Sequence, residues 1–293
     1  EKLTAAQREV AKLVGVLRWM TKLIVRITRH VWRLSCVVAR PPEEAMLAAL
    51  GVLAIAHEAQ AEGLTFGGAQ ATLTYSGTLK GTRHAARGTE LKQMGAEMPQ
   101  AAPKEMVGAS DATWSAGEEG DMDVYALALT HNGAAIILEL KKIGVATGCS
   151  AAAELLGMLK LVYKAQYGRT LLMRLGVKLG GPTPILCDND ATLRVAHGEA
   201  TVSRLKHELR RAAIVTQYVH EGDVALVHVP DAANYVDFLT KWLKADKVEA
   251  SINFLTGAKA RAKAKGAAVQ LQSVAAITGW MRAPAAEALE NMR

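Results

Sequence analysis

The chain has 293 residues, enough to bury a large core in one large domain or two smaller ones. Half of the residues are hydrophobic but only 5% are aromatic, so the core must rest on Leu, Val and Ala. A formal net charge of +7 and a pI near 9.3 suit a polyanionic partner, although such a charge also serves solubility alone. Cys36, Cys149 and Cys187 stand far apart, which argues against a disulfide framework or a zinc site and fits a reducing intracellular compartment. No secretory signal is legible. The longest apolar stretch is broken by Arg18, Lys22, Arg26 and Arg29, so no membrane insertion is expected. The chain opens on Glu1, which reads as a processed product or a fragment.

Residues 3–60 read as two or three helices. Leu13, Val16, Leu17, Met20, Ile24, Ile27, Val31 and Leu34 recur at three- and four-residue steps and predict one apolar stripe. The other face carries Arg8, Lys12, Arg18, Lys22, Arg26, Arg29 and Arg33, either a strip for nucleic-acid backbone or a solvated face. Pro41-Pro42 stops the run, and Glu43-Glu44 opens a new helix with acid in its first turn. Residues 67–103 are polar with weak periodicity and read as a linker or irregular excursion, with a short hairpin around 71–82. From Lys104 the pattern predicts strands near 105–112, 123–131, 134–142, 184–188 and 223–229. Helices are expected near 150–167, 189–197, 203–219 and 233–244. His131-Asn132-Gly133 marks the hairpin turn between the second and third strands. Three antiparallel strands followed by strands joined through helices make an α/β domain over 104–247, a mixed five-stranded sheet flanked by helices. The helical N-terminal region precedes it, and residues 248–293 read as a basic, helical C-terminal extension.

Four acidic residues fall where such elements end or begin: Asp111, Glu154, Asp188 and Asp237. Each alone has a plain reading as a cap, turn or surface residue. A carboxylate closing an apolar strand is costly unless something positive neutralises it, and several converging on one point suit divalent metal.

The residues around these acids carry a family resemblance. Ser110-Asp111-Ala112-Thr113-Trp114, Ser150-Ala151-Ala152-Ala153-Glu154, Cys187-Asp188-Asn189, Ser203-Arg204-Leu205-Lys206-His207 and Val236-Asp237-Phe238-Leu239-Thr240-Lys241 occur in that order. Together they resemble the ribonuclease H domain of Ty1/copia-type retrotransposon polyproteins. Upstream, Leu13-Val14-Gly15-Val16-Leu17 and Arg40-Pro41-Pro42-Glu43-Glu44 resemble the segment connecting the reverse transcriptase to that domain. No Tyr-x-Asp-Asp polymerase signature occurs. The motifs that would touch substrate between the first strands have changed, reading Glu119-Gly120-Asp121-Met122-Asp123 and Ile136-Ile137-Leu138-Glu139-Leu140.

The resemblance implies a ribonuclease H-like fold and a metal-dependent endonuclease cutting RNA in RNA/DNA hybrids. Two Mg²⁺ ions would be held by Asp111, Glu154, Asp188 and Asp237, and Arg204, Lys206, His207 and Lys241 would contact nucleic acid. The competing expectation is a domesticated, inactive copy that binds structured RNA and other subunits in a ribonucleoprotein.

Overall fold

The computed structural model describes residues 3–38, 42–64, 66, 106–115, 122–179, 181–198 and 208–257. The chain divides into two compact units, one helical and centred on residues 1–64, the other built on a sheet. The expected hairpin at 71–82 and the segment 67–103 lie outside the described residues. Among the described residues, no helix is long and apolar enough to cross a membrane.

In the helical unit, α1 (Ala5–Met20) starts at a capping box. Thr4 Oγ1 accepts from the Gln7 amide, and Gln7 Oε1 accepts from the Thr4 amide. The predicted continuous stripe is interrupted here. The helix stops at Met20, a 3-10 turn spans Val25–Ile27, and α2 (Thr28–Val37) begins anew. The buried positions of α1 are therefore Val10, Val14 and Leu17, while Val16 is 55% exposed. Helix α3 (Pro42–Glu58) carries Glu43 and Glu44 in its first turn, as the sequence pattern requires. Ala45, Ala49, Val52 and Ala56 of α3 complete the core with Leu17, Ile27, Val31 and Leu34. The expected basic strip does not survive packing intact: Arg29 is buried, and Arg26 is ion-paired with Glu62.

In the other unit, β1 (Met106–Thr113), β2 (Val124–His131) and β3 (Ala134–Lys142) form an antiparallel meander. Asn132, at φ 50°, and Gly133, at φ 92°, make the turn between β2 and β3. The strands β4 (Thr183–Cys187) and β5 (Val224–His228) join in parallel, giving the order β3-β2-β1-β4-β5. Four helices connect or follow them: α4 (Ser150–Arg174), α5 (Asp190–Ala196), α6 (Leu209–His220) and α8 (Ala245–Thr256). A single helical turn, α7 (Asp237–Thr240), lies between α6 and α8 in sequence after β5. This is the expected mixed five-stranded sheet flanked by helices, a ribonuclease H-like fold.

Helix α4 packs on β1 and β2. Alternation points Tyr125, Leu127 and Leu129 of β2 toward it, in one core with Leu155, Met158, Leu161 and Val162. Glycines permit the close approach. A Cβ on Gly108 would stand 2.9 Å from Leu161 Cδ1, and one on Gly168 would stand 3.1 Å from Met106 Sδ. Two expectations for this unit need correction. The helix expected over 233–244 is instead a 3-10 turn at Asp231–Ala233, the short α7, and an extended Lys241. Asn234 is extended because its side chain is committed elsewhere, donating to Ser110 O and accepting from the Val236 amide. The boundary expected at 247 falls inside α8, which packs against β3 and belongs to this unit.

Candidate metal centre

Strand register decides where each acid can act. Asp111 pairs with Ala126, and Ser110 with Leu127, so Asp111 points to the face opposite α4, while Ser110 points toward α4. The short α7 meets β1 and β2. Asp188 directly follows β4, beyond the last hydrogen-bonded pair, and its backbone carbonyl accepts from His228 Nε2 at 3.2 Å. Glu154, early in α4, takes a backbone hydrogen bond from Ala112 near the end of β1. Gly157, one turn later, allows this: its Cβ would lie 3.4 Å from Tyr125 Cβ and 3.8 Å from Asp111 O. The irregular Asn234–Val236 segment delivers Asp237 into the same region, anchored by buried Tyr235 against Phe254.

The result is two triads that share Asp188. Asp111, Asp188 and Asp237 bring ligand atoms within 4.8 Å of one another, and so do Glu154, Cys187 and Asp188. Asp111 and Asp237 are fully buried and Glu154 is 5% exposed. Glu154 Oε2 and Asp237 Oδ1 accept no hydrogen bond. Such oxygens are costly unless a cation satisfies them; Asp237 Oδ1 has the Lys241 ammonium 3.8 Å away, Glu154 Oε2 has no such ion pair among the described residues, and hard carboxylate donors match Mg²⁺ or Mn²⁺. The residues therefore fit a divalent ion.

Electrostatics record the crowding. Burial, then Asp111 and Asp188, push the Glu154 carboxyl up to about 10. Burial and Asp111 push Asp237 up to about 7. Asp188 is also raised, by burial first and Asp111 second. Burial holds the Cys187 thiol well above its usual range.

Two lysines answer this charge. Lys241 Nζ lies 3.2 Å from Asp111 Oδ1, 3.8 Å from Asp237 Oδ1, 3.9 Å from Asp188 Oδ2 and 3.4 Å from Asp231 Oδ1. Its pKa is raised because the attraction of Asp111, Asp237 and Asp188 outweighs burial. Lys247 Nζ lies 2.6 Å from Asp237 Oδ2 and donates to it, and Thr240 Oγ1 donates to Asp111 Oδ2.

All four expected acids are thus brought together. Lys241, expected to contact nucleic acid, directs its ammonium into the carboxylates. Arg204, Lys206 and His207 lie outside the described residues. Sequence reasoning missed Thr240, Lys247 and Asp231. Thr240 stands in the quoted Thr240-Lys241 motif and was within reach. Lys247 lay just at the expected domain boundary, with nothing in its neighbours to mark it.

No protein-family model and no curated protein sequence matches this chain. Solved structures do. LC11-RNase H1, solved in complex with an RNA/DNA hybrid, is 16% identical over 46% of this chain and 93% of its own, with a TM-score of 0.35. The ribonuclease H1 of Halobacterium salinarum is 19% identical over 46% and 93%, also at 0.35. The N-terminal ribonuclease H domain of a Mycobacterium tuberculosis protein, solved as a fusion with maltose-binding protein, is 18% identical over 50% and 96%, at 0.33. The assignment of the fold to this chain rests on its own strand order and pairing.

Proposed function

We propose that the sheet unit is a ribonuclease H-type, metal-dependent endonuclease that cuts RNA in RNA/DNA hybrids. The observation that carries this reading is the convergence of Asp111, Glu154, Asp188 and Asp237, with the buried Oε2 of Glu154 left without a donor. A structural role would not favour such an arrangement, since buried carboxylates lacking partners cost stability. Glu154 and Asp188 offer oxygens to a divalent cation, and Asp111 and Asp237 add negative charge from the α7 side. When bound, a divalent cation supplies Lewis acidity toward a phosphodiester. The residues themselves position it: β1 and β4 fix two acids rigidly, α4 brings the third, and Thr240 orients Asp111. Arg204, Lys206 and His207 are proposed to contact the hybrid backbone, where shape and 2′-hydroxyls dominate recognition. The ordered motifs around the acids further support descent from a Ty1/copia-type element, with residues 1–66 as a former reverse-transcriptase connection segment.

One observation favours the other reading, a domesticated subunit that binds structured RNA in a ribonucleoprotein: Lys241 and Lys247 already neutralise the α7 side of the cluster. The deciding experiment is cleavage of a labelled RNA/DNA hybrid by the full chain in Mg²⁺ or Mn²⁺. The nuclease reading expects metal-dependent cleavage that falls on the order of a hundred-fold or more in Asp188→Asn, with the fold intact. No cleavage by well-folded protein in either metal would favour the scaffold.

A further inference from the structure

We propose that the carboxylate centre takes a single divalent cation, at Glu154 and Asp188, because the Lys241 ammonium holds the position between Asp111, Asp188 and Asp237. The inference rests on the metal-dependent reading above and revises the expectation of two Mg²⁺ ions.

The two triads differ in what already satisfies them. On the α7 side, Lys241 Nζ sits within 3.9 Å of carboxylate oxygens from Asp111, Asp188 and Asp237, a placement a second metal would otherwise need. Lys247 takes the remaining Asp237 oxygen at 2.6 Å. Asp231 holds both lysines from the rim, 3.4 Å from Lys241 and 3.5 Å from Lys247. On the α4 side, no lysine or arginine among the described residues forms an ion pair with Glu154, and its Oε2 is without a donor. Cys187, the third member of that triad, is a buried thiol that brings no charge in its protonated form.

Charge balance gives the same answer. Four buried or nearly buried carboxylates carry four negative charges when ionised. The two ammonium groups cancel two, and one divalent ion cancels the rest. A second divalent ion would leave a positive excess in a low-dielectric site before any substrate phosphate arrived, and like charges at such separations repel strongly. Asp231 is 69% exposed at its side chain, so water screens its contribution. Expelling Lys241 to admit a second ion would break its contact with Asp111, which is fully buried. Lys241 is thus a positioning residue that supplies positive charge in place of a second metal.

The test counts ions on the full chain by calorimetry and by electron paramagnetic resonance of free and bound Mn²⁺, with no reference to cleavage. One Mn²⁺ per wild-type chain is expected. Lys241→Met should shift the count to two and lower the melting temperature of the metal-free protein, while Lys241→Arg should keep the count at one. Should Lys241→Met fail to fold, the wild-type count and the Arg variant still decide. Two ions in the wild type overturn this inference and leave the metal-dependent reading standing. A single ion in well-folded Lys241→Met overturns the role given to Lys241. No Mn²⁺ bound by the wild type at saturating concentration overturns the inference together with the reading beneath it.

Discussion

In the helical unit, Glu62 is buried against a guanidinium: Arg26 Nε and Nη2 lie 2.7 and 2.6 Å from its Oε1. In the sheet unit, Glu154 is comparably buried and has no such partner among the described residues; its neighbours are Asp188 and a thiol. The same side-chain type is a structural tie in one place and a stored electrostatic cost in the other. His30 extends the contrast. It is half-buried with its Nδ1 shut off from solvent, and its pKa is lowered to about 4 by burial first and then by Arg29 and Arg26. The helical unit thus pairs the Glu62 carboxylate through Oε1, although its Oε2 accepts no hydrogen bond. The sheet unit gathers four acids where β1, β4, α4 and α7 meet and leaves Glu154 without an ion pair among the described residues, a pattern that suits a binding site better than a scaffold.

Packing should dominate both units, and the sheet unit gives the largest expected change. Leu161 is fully buried, and its methyl groups fill the space over Gly108. Leu161→Ala should cost about 2–5 kcal/mol in denaturant unfolding. A loss under about 1 kcal/mol would mean that α4 is not seated on β1 as described.

The helical unit should be acid-sensitive through His30. Its folded pKa lies below the ordinary value of 6.5, so the unfolded chain binds the proton first. Stability is full above about 6.5 and is lost as pH falls toward 4, by about 3 kcal/mol at most. His30→Gln should flatten this acid limb in urea titrations. An unchanged limb would show that another group carries it.

The sheet unit should respond in the opposite sense. Asp237 and Glu154 have folded pKa values raised to about 7 and about 10, so the folded state keeps protons that the unfolded state has released. Metal-free stability therefore falls as pH rises from the ordinary carboxyl range through these values. Mg²⁺ should offset the loss, and its stabilisation should be larger near pH 8 than near pH 6. At a hundred-fold excess over Kd, binding contributes about 2.7 kcal/mol. Equal thermal shifts at both pH values would contradict the placement of the metal among these acids.

The smallest effect belongs to the surface. Lys12 and Glu9 form an exposed pair at 2.7 Å on α1, so Lys12→Ala should change stability by no more than roughly 0.5 kcal/mol. A larger loss would mark this face as engaged in something beyond solvation.

Much of the sheet unit is readable in the sequence because its signals are local. Period-two apolar runs mark β1 to β3, Asn132-Gly133 marks their hairpin, and short runs before and after helical segments mark β4 and β5. The four acids are legible because each ends or opens an element. The path from Asp231 to Lys241 is not legible, because a contact with residue 110 decides it. Asn234 gives its amide to Ser110 O, and no local pattern announces a hydrogen bond across 124 positions. In the helical unit, the period alone suggests one long helix over 13–34. The break after Met20 arises from packing of Ile24, Val25 and Ile27 into the core, which helical propensity does not encode.

The central claim is that these carboxylates form a divalent-metal centre. Anomalous diffraction from a crystal of the full chain soaked in Mn²⁺ tests it most directly. The account predicts a manganese peak coordinated by Glu154 and Asp188. Well-ordered Glu154 and Asp188 side chains with no anomalous peak between them, at saturating Mn²⁺ and neutral to alkaline pH, would contradict it.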